Sequence, residues 1–181
     1  MKNMRSWNSC SNKKMRIESE RLIITELSMD MAKALHLNSL DEDNRRFVPD
    51  EVFETVEEAE ETIVYLLKCY QNGEGPLVYA VMLKNGTFIG YVQAVPLADC
   101  YEIGYHIGKE YTSQGYATEA VKAFLPVIMD QLSLKSILGV CLADNAASAK
   151  VLERCGFVKQ FEGVADYQGE PRRVCKFLYH R

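Results

Sequence analysis

Between residues 101 and 142 the chain passes from strand to helix and back to strand, and this order limits its fold more than any other feature. "YEIGYHIG" reads as a strand. From Gly115 onward the period changes: Ala117, Ala120, Val121, Phe124, Leu125, Ile128 and Met129 recur at the spacing of a helix with one buried face. "SILGVCL" then reads as a near-continuous apolar strand, of the kind buried on both faces. Such a succession requires a sheet with a helix packed on it. Pro126 lies inside the helix, where a missing N–H and a clash with the preceding turn are expected to kink it or end it early.

The remaining segments extend this pattern. "RLIITEL" predicts a strand, followed by a helix capped at Ser28 and carrying Met31, Ala34 and Leu35 on one face. A second helix starts near Thr55, where Thr55 and Glu58 form a capping-box pattern, and ends by "QNGEGP". "LVYAVML" and "TFIGYVQAV", joined through "KNG", predict a hairpin that "YEIGYHIG" extends into an antiparallel meander. Asn145 caps a last helix that Gly156 terminates, and the chain closes with a hairpin through "QGEP". The result is an α+β single domain: a mixed, mostly antiparallel sheet flanked by helices, over residues 15–181, with residues 1–14 as a loose tail.

The 181 residues suffice for one core without a disulfide or metal staple. A net charge of -4 does not supply the positive field of a nucleic-acid binder. No apolar run approaches the roughly 20 residues of a membrane span, and no secretory signal opens the chain. The six cysteines show no metal-ligand spacing and read as reduced thiols of a cytoplasmic protein, with Cys141 and Cys155 in the core.

The chemistry concentrates in "YTSQGYATEA". Where a helix starts, unpaired N–H groups and the positive dipole end stabilise an anion; Gly115 permits close backbone approach, and Thr112 and Ser113 add hydroxyls. An ordinary strand-to-helix turn uses the same residue types, so the loop alone leaves both readings open. The acids of residues 41–61, ten against two basic residues, either form a lip attractive to amines or complement helix dipoles.

"SQGYATEA", followed by "NAASAKVLERCGF", resembles the paired signatures of the GNAT N-acetyltransferase superfamily, in its ribosomal-protein N-acetyltransferase-like branch. "ESERLIITEL", "FIGYVQAV" and "YEIGYHIGKEY" are similar to that branch in the same order. The resemblance implies the acyl-CoA N-acyltransferase fold, in which the parallel strands containing Tyr105 and Val140 splay apart. Coenzyme A would lie in the gap, its pyrophosphate on the N–H groups of Gln114, Gly115, Tyr116, Ala117 and Thr118, its pantetheine arm near His106, Ile107 and Asn145. It implies transfer of an acetyl group from acetyl-CoA by direct attack of a primary amine, of a protein N-terminus or a small molecule. A CoA-binding sensor or interaction module is the alternative, and a homodimer is left open. Two positions depart from the pattern: Thr112 stands where Arg or Gln is usual, and Leu152 where many members carry a tyrosine acid.

The reaction would need a general base, for which Glu102 is the first choice and His106, on the same strand face, the second. An N–H near Ile107 would meet the oxyanion, and Ser148, one turn before Leu152, would serve the leaving thiolate. Each has a plainer reading: a solvated carboxylate, a structural histidine, or an ordinary first-turn serine.

Overall fold

The computed structural model of the protein describes residues 14–181, so nearly all of the expected tail lies outside the described residues. Eight strands form one sheet in the order β1-β2-β3-β4-β5-β6-β8-β7. They are β1 (Arg16–Glu18), β2 (Leu22–Glu26), β3 (Leu77–Leu83), β4 (Phe88–Pro96), β5 (Tyr101–Ile107), β6 (Ser136–Leu142), β7 (Val158–Tyr167) and β8 (Glu170–His180). Every pairing is antiparallel except β5 with β6. The helices are α1 (Ala32–Ser39), α2 (Glu42–Phe47), α3 (Val56–Asn72), α4 (Tyr116–Gln131) and α5 (Ala146–Arg154).

Side chains alternate across the sheet, so β3 and β4 each feed two cores. On one face Tyr79, Val81, Ile89 and Val92 pack against Val121, Phe124 and Ile128 of α4 and Leu152 of α5. On the other, Val78, Ala80 and Tyr91 meet Leu35 of α1 with Ala59, Ile63 and Leu66 of α3. The Thr55 half of the α3 capping box forms as expected, the Glu58 N–H donating to Thr55 Oγ1 at 3.2 Å, while the Glu58 carboxylate reaches one residue further back, to the Glu54 N–H. The terminal hairpin turns through Gln168 and Gly169, both at positive φ, the two-residue turn suited to strand twist.

Three expectations need correction. Helix α4 continues past Pro126 to Gln131, because that proline lies on the exposed face while buried residues grip both halves. Ser28 precedes a single 3-10 turn, closed by the Met31 N–H on the Ser28 carbonyl, and its side chain caps nothing. Strand β6 is not buried on both faces: Ile137, Gly139 and Cys141 are buried, while Leu138, Val140 and Leu142 are half-buried, the first two against a cavity. The short β1 and α2 were not anticipated. Three residues carry too little periodicity, and α2 owes its start to Asp41, whose carboxylate accepts from the Asn44 N–H at 2.8 Å.

Candidate active site

Strands β5 and β6 pair only at Glu102 and Leu138, then diverge. Beyond that point the facing backbone edges of β5 and β6 have no strand partner. Between and around them lies a cavity of about 890 Å³. Glu102, Tyr105, His106 and Ile107 line it from β5, Val140 from β6, Asn145 and Ser148 from α5, and Thr112, Ser113 and Gly115 to Thr118 from the loop and first turn of α4. Of the site residues expected from sequence, only Gln114 is outside the lining; its side chain turns away to the Glu110 carbonyl.

The loop is built to leave donors open. Ser113 and Gly115 adopt left-handed φ values of 60° and 83°, which turn successive N–H groups to one side. Among the described residues, no N–H from Ser113 to Thr118 donates to a protein acceptor, and α4 has no side-chain N-cap. This is the arrangement that holds an anion at a helix N-terminus. Thr112 is spent locally, its hydroxyl on the Lys109 carbonyl.

A support that sequence reading missed holds the loop from below. Glu119, in the first turn of α4, accepts from Ser19 Oγ and the Arg21 N–H at 2.8 Å and from Arg21 Nε at 2.7 Å. Arg21 also donates to the Gln114 carbonyl and stacks 4.3 Å above the Tyr116 ring. Burial raises the Glu119 pKa most, but the Arg21 N–H, Ser19 and the guanidinium together leave it below the ordinary value. Its stabilisation is therefore present above an unfolded pKa near 4.5 and lost as pH falls through the lower folded value. Glu119→Ala should cost about 1–3 kcal/mol in urea unfolding at neutral pH. An unchanged midpoint would mean that water replaces the carboxylate.

At the far end of the gap Glu102 points the same way as Gly104 and His106. Burial, and then the charge of Glu51, push its pKa to about 7, with Lys176 opposing. Glu51 comes from the segment after α2; its carboxylate accepts from Gln93 Nε2 at 2.6 Å and from the Tyr91 hydroxyl. Burial raises its pKa against those two donors. Gly104 makes room for this, because a Cβ there would come within 2.6 Å of Gln93 Nε2. A glycine inside a strand was the available signal of close approach. Neither carboxylate has an ion-pair partner among the described residues. Of the other acids of this stretch, Asp41 caps α2 and lies 3.7 Å from His106 Nε2, Asp50 accepts from the Gln168 side chain, and Glu54 pairs with Arg45.

His106 shares the cavity but is held by its Nε2, which lies 3.2 Å from both the backbone and side-chain oxygens of Asn38. Burial lowers its pKa, against Asp41 and Asn38, so the ring is neutral at pH 7 with Nδ1 its basic nitrogen. Asn145 caps α5 by accepting from the Ser148 N–H at 3.0 Å, and its amide NH₂ donates to no group among the described residues. Ser148 Oγ lies 2.9 Å from the Tyr105 hydroxyl. Leu152, 1% exposed, belongs to the core beneath Gly139. Burial pushes the Cys141 and Cys155 thiols to about 11, which keeps them protonated at neutral pH. No group of metal-ligating side chains exists among the described residues.

Residues 21–158 match the family model described as "Acetyltransferase (GNAT) domain". The chain is 26% identical over 152 residues to a Bacillus subtilis (strain 168) protein, the uncharacterized N-acetyltransferase YnaD, covering 81% of this chain and 84% of that one. In three dimensions it is similar to an acetyltransferase (GNAT family) from Bacillus anthracis, with TM-score 0.76, 24% identity and coverage of 92% and 98%. It is likewise similar to the ribosomal L7/L12 alpha-N-protein acetyltransferase RimL in complex with coenzyme A, with TM-score 0.78, 19% identity and the same coverage.

Proposed function

The chain belongs to the GNAT acetyltransferase family, and on that premise we propose that it transfers the acetyl group of acetyl-CoA to a primary amine positioned beside Glu102. The observation that carries this reading is one continuous cavity, with unpaired loop N–H groups at one end and a carboxyl of pKa about 7 at the other. Relatives with the same fold include proteins whose structures contain coenzyme A or acetyl-CoA.

The residues present suit that ligand. The N–H groups of Gly115 to Thr118 would hold its pyrophosphate, the open edge of β5 near His106 and Ile107 would pair with its pantetheine amides, and the Asn145 NH₂ would donate to the same arm. Bound there, acetyl-CoA supplies an acetyl thioester and a thiol leaving group. Glu102 takes the proton that the acceptor nitrogen loses on attack; with a pKa near the working pH it is ionised often enough to do so. An N–H on the open edge near Ile107 donates to the developing oxyanion, at no cost in reorganisation. Ser148, which lines the cavity, would donate to the departing sulfur.

The acceptor end favours a cation, since Asp43, Asp50, Glu51 and Glu102 all line it and outnumber Lys176, whose charge opposes them. A protein N-terminus and a small amine both satisfy this, and RimL acts on a ribosomal protein. Calorimetry with acetyl-CoA should give micromolar binding, and a thiol-release screen over N-terminal peptides, polyamines, amino acids and aminoglycosides should yield an acceptor. Absence of acetyl-CoA binding would defeat the proposal. Binding without release for any amine would instead support a CoA-binding module.

A further inference from the structure

On the reading that this cavity holds an acetyl thioester, we infer that Tyr105 is a positioning residue, its hydroxyl orienting that of Ser148 as the hydrogen-bond donor to the departing thiolate. The two groups meet across the divergence of the sheet. Tyr105 stands on β5, on the strand face opposite Glu102, and its hydroxyl reaches α5 on the β6 side, 2.9 Å from Ser148 Oγ and 3.0 Å from the Ser148 carbonyl. The remaining hydroxyls lining the cavity are engaged elsewhere or lie with the loop: Tyr167 donates to the Phe47 carbonyl, and Thr112 to Lys109. The next residue on this stripe of α5 is the buried Leu152, so no second hydroxyl approaches from that helix.

Counting hydrogens shows what the pair can do. Each hydroxyl has one proton and two lone pairs. Without a ligand, the Tyr105 proton goes to the Ser148 carbonyl and the Ser148 proton to the Tyr105 oxygen, which satisfies both. When sulfur acquires negative charge nearby, the Ser148 proton turns to it and the Tyr105 proton is free to turn to Ser148 Oγ. Burial pushes the phenol upward, partly countered by its bond to Ser148, so Tyr105 stays protonated throughout the neutral range. It is for that reason too weak an acid to protonate a thiolate with a pKa near ~8.5, and its contribution is orientation and polarisation. No bond to hydrogen is broken at Tyr105. The C–S bond breaks, its electron pair stays on sulfur, and the thiolate takes its proton later from water.

The test reads the acidity of the coenzyme A thiol in its complex, from thiolate ultraviolet absorbance against pH with the desulfo-CoA complex subtracted, and needs no acceptor amine. Wild-type protein should make the bound thiol more acidic than free coenzyme A. Ser148→Ala should weaken that acidity about tenfold, Tyr105→Phe by a smaller factor, and the double variant by no more than Ser148→Ala alone. Ser148→Thr should keep the effect with Tyr105 present and lose part of it when combined with Tyr105→Phe, a dependence that a merely structural tyrosine would not produce. The inference is overturned if Tyr105→Phe leaves the acidity of the bound thiol unchanged, or if the two effects multiply. Failure of the wild-type protein to bind coenzyme A would overturn the acetyltransferase reading itself.

Discussion

Glu102→Gln should lower kcat/KM by roughly 10²–10⁴-fold while leaving acetyl-CoA affinity close to that of the wild type. The wild-type rate should climb as pH rises through about 7, where the carboxyl ionises, and the glutamine variant should lose that dependence. Because Glu51 contributes to the elevation, Glu51→Gln should move the same limb to lower pH. Stability should respond in the opposite direction. The folded pKa of about 7 lies above the ordinary 4.5, so the native state binds the extra proton between those values. The group's contribution is fully present below pH 4.5 and is lost as pH rises through about 7, a difference of about 3 kcal/mol above that point. Glu102→Gln is therefore expected to raise the melting temperature at pH 8 and to change it little at pH 4. An unaltered pH–rate profile in that variant would remove Glu102 from the mechanism and leave His106 Nδ1 or water as the base.

Gly90→Ala is expected to be the most disruptive single methyl in the sheet. Gly90 pairs with Ile107 on the strand that carries Glu102, at φ 155°. A Cβ there would lie 2.0 Å from the His106 carbonyl oxygen and 2.9 Å from its carbon, atoms of a backbone fixed by pairing. Relief requires β4 and β5 to separate at the cavity. A loss of about 4 kcal/mol or more follows, a large share of the roughly 5–15 kcal/mol that holds a domain folded. Gly86→Ala is the control: it too has positive φ, 89°, but nothing lies within 4 Å, so only the conformational cost of about 1 kcal/mol remains. Urea midpoints of the two variants should differ clearly. Equal midpoints would show that the β4–β5 pairing yields without cost.

Much of the architecture was readable because it is local. The α4 stripe, the caps at Thr55 and Asn145, and the Gln168-Gly169 turn depend on neighbours within a few residues, and each forms where its residues place it. The misreadings have a common origin in surroundings that a single segment does not carry. Pro126 is tolerated because it faces water, and β6 alternates because one of its faces borders a cavity. Glu51 was indistinguishable from the nine other acids of its stretch until the fold turned it inward onto Gln93.

The sequence by itself determined the order of the longer elements, the loop whose glycine and small residues leave N–H groups open, and the carboxylate on β5, since periodicity and residue chemistry are short-range properties. The tertiary structure alone decided that β5 and β6 part after one residue pair, that Glu51 raises the pKa of Glu102, and that Tyr105 meets Ser148 across the gap. These depend on distances between groups about 40 or more positions apart, and on how much water the packed chain removes from between them.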